Sequence, residues 1–147
     1  MNAEGVLKVL AERMRGLLSE GNPLRGGLFV TVAEEKPEEV LHTYAVLQAS
    51  KAGAVEIVPG NYTWRVPCRL FGWFFPPQGG ELTAEQIAGW MTEAAYALMA
   101  AGRSMVREVD LGDFIVLDVA PSSPVSWSAS ERAGFEGEMG FALTVQF

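Results

Sequence analysis

The chain has 147 residues, of which 49% are hydrophobic; this suits one domain with a substantial core and is too apolar for a disordered chain. Its net charge of −7, without any run of basic residues, argues against a protein that reads DNA or RNA. No apolar run approaches the roughly 20 residues of a membrane helix, and a single cysteine excludes an internal disulfide.

A first helix is predicted near the N-terminus. Apolar residues recur there at helical spacing, at Val6, Leu7, Leu10, Met14, Leu17 and Leu18. The turn sequence Gly21-Asn22-Pro23 ends the pattern. The stripe is shorter than the three or more heptads of a coiled coil, so we expect this helix to pack on a sheet. The amphipathic start lacks the apolar run of a signal peptide, so we expect synthesis in the cytoplasm.

Several short strands are predicted between residues 28 and 58. Residues 28–32 form one strand, and a charged turn follows that contains Glu34, Glu35, Glu38 and Glu39. Residues 40–50 fit either a helix that starts after Pro37 or a strand that leads into a hairpin. We favour the strand, because the strand at 55–58 and the one after Asn61 need pairing partners nearby.

The most distinctive segment is the aromatic run over residues 61–76. Read with period two, one face is apolar throughout, while the other begins polar and ends with Phe71, Trp73 and Phe75. A strand that is apolar on both faces needs a second cover at that end. We expect a position between subunits or under a loop, so that Trp73→Glu disrupts assembly before folding. Pro67 cannot donate to a ladder and predicts a sheet edge or a bulge.

A second helix is predicted to begin at a capping box, Thr83-Ala84-Glu85-Gln86, and to end at Gly102. Between residues 84 and 101 only Glu85 and Glu93 are charged, which is sparse for a solvated helix. We favour a helix of small residues lying close on a sheet. The alternative is that its second face, which carries Tyr96, meets a neighbouring subunit.

The C-terminal third is predicted to contain two strands, at residues 114–119 and 139–147, with a long loop between them. Residues 121–137 show no consistent period, and we expect Trp127 in this loop to fold back on the domain. The complete pattern predicts one α+β domain over residues 1–147. Its mainly antiparallel sheet would have four to five strands, with two helices packed on one face.

No constellation of catalytic residues accompanies this pattern. His42 is the only histidine, and no Gly-x-Ser-x-Gly elbow or phosphate loop is present. The spacing of Asp110, Asp113 and Asp118 does not match a calcium loop. We therefore predict no catalytic, cofactor-binding or metal-binding residues. An enzyme would gain support only if a pocket gathered His42 with two acids.

The order of these segments resembles the tail-terminator (tail-completion) proteins of long-tailed bacteriophages and prophages. The shared layout is a short helix, a strand, a Gly-Asn-Tyr turn, a long aromatic strand, a capped Ala-rich helix and a closing alternating strand. It extends from about residue 6 to residue 147 and is carried by residues 60–67, 82–101 and 140–147. This family has no catalytic residues to assign to the present chain.

The resemblance implies a structural virion protein that forms a ring, typically a hexamer, in the tail or neck after assembly in the host cytoplasm. Such a ring caps the tail tube and joins the tail to the head. Its expected partners are copies of itself and the tail-tube and neck proteins; DNA would pass through an acidic lumen without specific binding, and no membrane or cofactor is involved. The alternative is another small neck, head-closure or adaptor protein without catalysis. The residues expected at interfaces are Phe71, Trp73, Phe75, Tyr96, Trp127, Glu34, Glu35, Glu38 and Glu39.

Overall fold

The computed structural model describes residues 3–31, 43–49, 55–76, 80–107, 115–130 and 134–146. These ranges form a seven-stranded mixed sheet and two α-helices, which confirms the α+β class and exceeds the four to five strands predicted. Neither helix has the length and apolarity that a membrane crossing requires. The elements in chain order are α1 (Ala3–Leu17), β1 (Leu28–Thr31), β2 (Tyr44–Ala49), β3 (Val55–Val58), β4 (Thr63–Phe74), α2 (Ala84–Met105), β5 (Ile115–Pro121), β6 (Ser126–Ser130) and β7 (Gly134–Gln146).

The centre of the sheet is an antiparallel ladder between β4 and β7, which pairs all 12 residues of β4. Each of these long strands carries two short strands along its outer edge. β3 pairs with the first part of β4 and β2 with the last part. β6 and β5 divide the edge of β7 in the same way. β1 pairs with β2 in parallel, so the sheet is mixed.

The position of Pro67 corrects the prediction of a sheet edge or a bulge, because the register of β4 with β7 runs without a shift through this residue. β4 is central, and Pro67 stands opposite Ala142 in the ladder with β7. On the other side of β4, the described pairing with β3 ends at Arg65 and the pairing with β2 begins at Cys68. Pro67 therefore lies at the gap between two strands. A missing N–H costs no ladder hydrogen bond there, which explains a proline inside a central strand.

Both helices cover the same face of the sheet, as predicted. Strand residues that alternate along β2, β4 and β7 point to this face and join the buried residues of α1 and α2 in one apolar core. The fully buried members with the largest side chains are Phe74, Phe141, Leu7, Leu10, Met14, Leu24, Leu47, Leu70, Ile87, Met91, Leu98 and Met105. The two helices are joined by the Arg13 guanidinium, which donates to the Ser104 carbonyl and hydroxyl oxygens at 3.0 Å.

Helix α2 begins as predicted and ends later than predicted. The Gln86 backbone N–H donates to Thr83 Oγ1 at 3.2 Å, and the Thr83 N–H donates to Gln86 Oε1 at 3.1 Å. Gly102 does not end the helix, which continues to Met105. A Cβ atom at residue 102 would lie 2.6 Å from the Cβ of Val119 in β5. The glycine thus permits a close helix-to-sheet approach, and this agrees with the favoured interpretation of α2.

Residues 121–137 are not one long loop, as the sequence pattern predicted. They contain β6, which pairs with the start of β7 from Ser126 opposite Glu138 onward. A turn comes before β6. In this turn the N–H groups of Ser122 and Ser123 donate to the Gly140 carbonyl oxygen. The strand was missed because its serines are typical of turns and it has no run of apolar residues that would mark it as a strand. The ambiguous segment 40–50 contains strand β2, as we favoured, and its residues 40–42 and 50 lie outside the described ranges.

Candidate interaction surfaces

The face of the sheet opposite the helices, called here the outer face, carries an aromatic cluster. Tyr44 and Trp73 are partners in the ladder between β2 and β4, and their rings stack with centroids 4.8 Å apart. Phe71 lies 4.3 Å from Trp73, and Phe75 and the fully buried Val46 pack against the same group. The sequence prediction that Phe71, Trp73 and Phe75 form one apolar region on this face agrees with these contacts.

The members of the aromatic cluster differ in what they offer to a partner. Trp73 is only 5% exposed, because its own chain buries it, and Tyr44 is 4% exposed. Phe71 and Phe75 are half-buried, and Phe29, which meets Tyr44 edge-on, is about half exposed. A partner on the outer face would therefore contact the phenylalanine rings before it reached Trp73. An interface role for these residues stays a prediction.

A polar row borders the aromatic cluster on the outer face. Arg69 Nε donates to Gln48 Oε1 at 2.8 Å, and the Arg69 guanidinium lies 4.8 Å from the centre of the Phe71 ring. The same guanidinium is 3.8 Å from a carboxylate oxygen of the half-exposed Glu138. Arg69 thus supplies the hydrogen bond that the buried amide oxygen of Gln48 needs, and it ties β2 to β4 and β7 across the sheet.

A groove of about 200 Å³ lies between the aromatic cluster and the edge strand β6. Phe71 lines it from β4, and Trp127 of β6 borders it, with a side chain directed to the helical face because its ladder partner Gly137 faces Met91 there. The remaining lining is polar or acidic: Ser126, Ser128, Glu136 and Glu138. Trp127, which the sequence pattern placed in a loop, therefore lies on strand β6, 42% exposed and on the opposite face of the sheet from the Phe71 ring.

The hairpin formed by β3 and β4 exposes a second apolar surface. Val55, Ile57, Val58 and Tyr62 are all exposed, and Tyr62, at 64%, is the most exposed of the four. Tyr62 lies in the turn with a φ of 53°, and the Gly60 N–H donates to Glu56 Oε1 at 3.0 Å. The period-two pattern placed Tyr62 on the buried face. It does not lie there because the strand begins one residue later, at Thr63.

The remaining predicted interface residues are Tyr96 on α2 and the four glutamates of the charged turn. Tyr96 is 73% exposed on α2, whereas Ala97 from the same predicted second face is buried. Leu17 near the end of α1 is also exposed, so the helical layer carries apolar surface of its own. Glu34, Glu35, Glu38 and Glu39 lie outside the described residues. The interface roles of all these residues stay predictions.

The titratable groups of the described residues do not assemble into a reactive centre. No group of three His, Cys, Asp or Glu side chains within those residues has the arrangement of a metal site. Cys68 is buried on the helical face, and this burial raises the pKa of its thiol to about 12, so that the thiol is protonated at neutral pH. His42, Asp110 and Asp113 lie outside the described ranges.

The Glu93 carboxylate links helix α2 to the segment that follows helix α1. The Ser19 backbone N–H and hydroxyl donate to the Glu93 carboxylate of α2. The backbone hydrogen bond is the main cause that lowers the pKa of Glu93. Asn22, beside Ser19, donates from its side chain to the Trp90 carbonyl at 3.3 Å. These contacts give Glu93 a structural role at the α1 terminus.

The groove, the hairpin and the aromatic cluster are therefore three surfaces of the described residues with the character of contact sites. No protein-family model matches the sequence, and no curated protein is significantly similar to it.

Proposed function

We propose that this protein is a structural subunit that assembles with copies of itself into a ring, caps a phage tail tube and joins the tail to the head. The observation that supports a contact function most directly is the β3–β4 hairpin, which leaves Val55, Ile57, Val58 and Tyr62 in solvent. A small domain gains no stability from apolar side chains left in water. Such a surface is typical of a protein whose partner covers it.

The tail-terminator assignment rests on the resemblance in element order, and the acidic composition supports it. A net charge of −7 disfavours tight contact with phosphate groups. A ring around a DNA channel needs such a surface, because DNA must pass without being held. The cap would act through its shape and its protein contacts, with no chemical step.

The test is a mixing assay with polymerising tail-tube protein from the same phage or prophage. We expect the purified protein to stop tube growth, with one ring visible at one end of each tube by electron microscopy. Added protein that leaves tube growth unchanged and binds instead to DNA-filled heads would support the neck or head-closure alternative. Protein that binds neither tubes nor heads would contradict both.

A further inference from the structure

The β3–β4 hairpin has the properties of a segment that inserts into another surface. Among the described strands, β3 pairs with β4 alone, so its other edge presents N–H and C=O groups to a partner. Natural edge strands usually carry charges or proline that block such pairing. The only charged residue of β3 is Glu56, and its carboxylate accepts from the Gly60 N–H within the hairpin. Beyond this internally bonded carboxylate, the edge has no charge to block pairing; β3 is limited instead by its length of four residues and by a register shift between Glu56 and Val58.

Tyr62 stands out at the tip of this hairpin. Its φ of 53° is in the left-handed region, which costs a residue with a Cβ atom about 1–2 kcal/mol. The Tyr62 side chain is largely in solvent, so its packing within the chain does not offset the free-energy cost of this backbone conformation. Strained residues are concentrated at sites of function. Large exposed tyrosines are also among the commonest anchors of protein interfaces.

The groove beside β6 matches a tyrosine in size and chemistry. Its volume of about 200 Å³ is below the ~300–1,000 Å³ of sites for small-molecule ligands, and it suits one large side chain. The Phe71 ring can pack against an aromatic ring, and the serine and carboxylate oxygens can accept from a phenol hydroxyl. Arg65, exposed on the hairpin opposite Val55, complements the acidic lining.

A hairpin cannot reach the groove of its own chain. The hairpin joins the sheet at the Thr63 end of β4, and the groove lies beside Phe71, near the other end. The separation along the strand is roughly 25 Å, from eight residues at about 3.3 Å each. The hairpin also lies on the β4 side of the central ladder, whereas β6 lies on the β7 side. A hairpin that entered the groove would therefore have to belong to another copy of the chain.

We propose that the β3–β4 hairpin of one copy docks in the β6 groove of the next copy, with Tyr62 as the side chain that enters. This inference rests on the self-assembly in the proposed function and specifies the two surfaces that meet. The two surfaces are different, so the contact is head-to-tail. Head-to-tail contacts close into a ring when the rotation between copies allows it.

Two variants test this contact, one for each surface. Tyr62→Gly removes the anchor and also relieves the positive φ, so the folded domain should become more stable while assembly is lost. Ser128→Tyr fills the groove from an exposed position on the edge strand. Asn61→Gly, one residue from the anchor in the same turn, is the matched control and should assemble like the parent protein.

The readout is the molecular mass by light scattering, for each variant alone and for an equimolar mixture. We expect each variant alone to be monomeric and the mixture to form dimers, because each variant retains one intact surface. Assembly of either variant to the parent mass, or a mixture that stays monomeric, would overturn the proposal. A parent protein that forms rings but does not cap tail tubes would overturn the proposed function and leave this contact standing.

Discussion

The close approach of α2 to the sheet at Gly102 allows a prediction with a worked magnitude. Gly102→Ala places a Cβ 2.6 Å from Val119 Cβ and 2.8 Å and 3.0 Å from its two methyl carbons. Carbon atoms pack best at about 3.5–4.0 Å, so the helix and strand must separate by roughly 1 Å. Val119 cannot rotate away, because it is β-branched and its strand is paired with β7.

Two opposing terms decide the sign of the change at Gly102. Replacing a helical glycine by alanine adds about 1 kcal/mol of stability, while overpacking costs typically 1–3 kcal/mol. The contact at the Val119 Cβ is near the severe end of that range, so we expect a net loss of about 1–2 kcal/mol. For a chain of this length, that corresponds to a decrease in Tm of roughly 3–6 °C.

Gly89 supplies the matched control within the same helix. No atom lies within 4 Å of the position that its Cβ would take, so Gly89→Ala should add about 1 kcal/mol. The assay is chemical denaturation followed by circular dichroism, with both variants compared to the parent. If Gly102→Ala proved as stable as Gly89→Ala, the close packing of α2 on β5 would be refuted.

Three further predictions concern buried or hydrogen-bonded side chains. Trp73→Glu should cost about 3–5 kcal/mol of folding stability, because Tyr44 and Phe71 bury the ring. We therefore expect this variant to lose folding stability first, and not assembly first as the sequence pattern suggested. An unchanged Tm would contradict this expectation. The Cys68 thiol keeps its proton in the folded state up to a pKa of about 12, whereas the thiol of the unfolded chain loses it near pH 9.0. The free energy of unfolding should therefore fall as the pH rises from 9 toward 12. Cys68→Ala should remove this decrease in denaturation curves measured at alkaline pH. The pKa of Glu93 is lower in the folded state than its usual value of 4.5, so the ionised carboxylate stabilises the fold above pH 4.5, and this stabilisation is lost as the pH falls through the folded-state pKa. Glu93→Gln should therefore flatten the acid limb of the curve of stability against pH. An unchanged limb would refute the contribution of this carboxylate.

Regular apolar periods made much of the fold predictable. The stripe of α1, the capping box of α2 and the alternation in β4 each specify a local element whose packing partner is a continuous apolar face. The errors occurred where one residue type serves two structural purposes. Gly102 could end a helix or allow a close approach, and Pro67 could mark an edge or a gap; only the positions of β5, β2 and β3 decide between them.

The candidate surfaces were less predictable than the fold, for a related reason. The aromatic cluster followed directly from alternation in β4. The groove did not, because it requires Ser126 and Ser128 of β6 to lie near Phe71, and the pairing of β6 with β7 has no local sequence signal. Tyr62 was placed on the wrong side because the alternation was extended one residue beyond the start of β4, into a turn where the strand period does not apply. The positive φ at Tyr62 is the structural feature that identifies this position.

The most direct test of the central claim, that this protein works by assembling with itself, is the mass of the purified chain by native mass spectrometry, with electron micrographs of the same sample. The account predicts one closed assembly of defined copy number, visible as a ring with a central opening. A protein that remains a 15.9 kDa monomer at high concentration would contradict it.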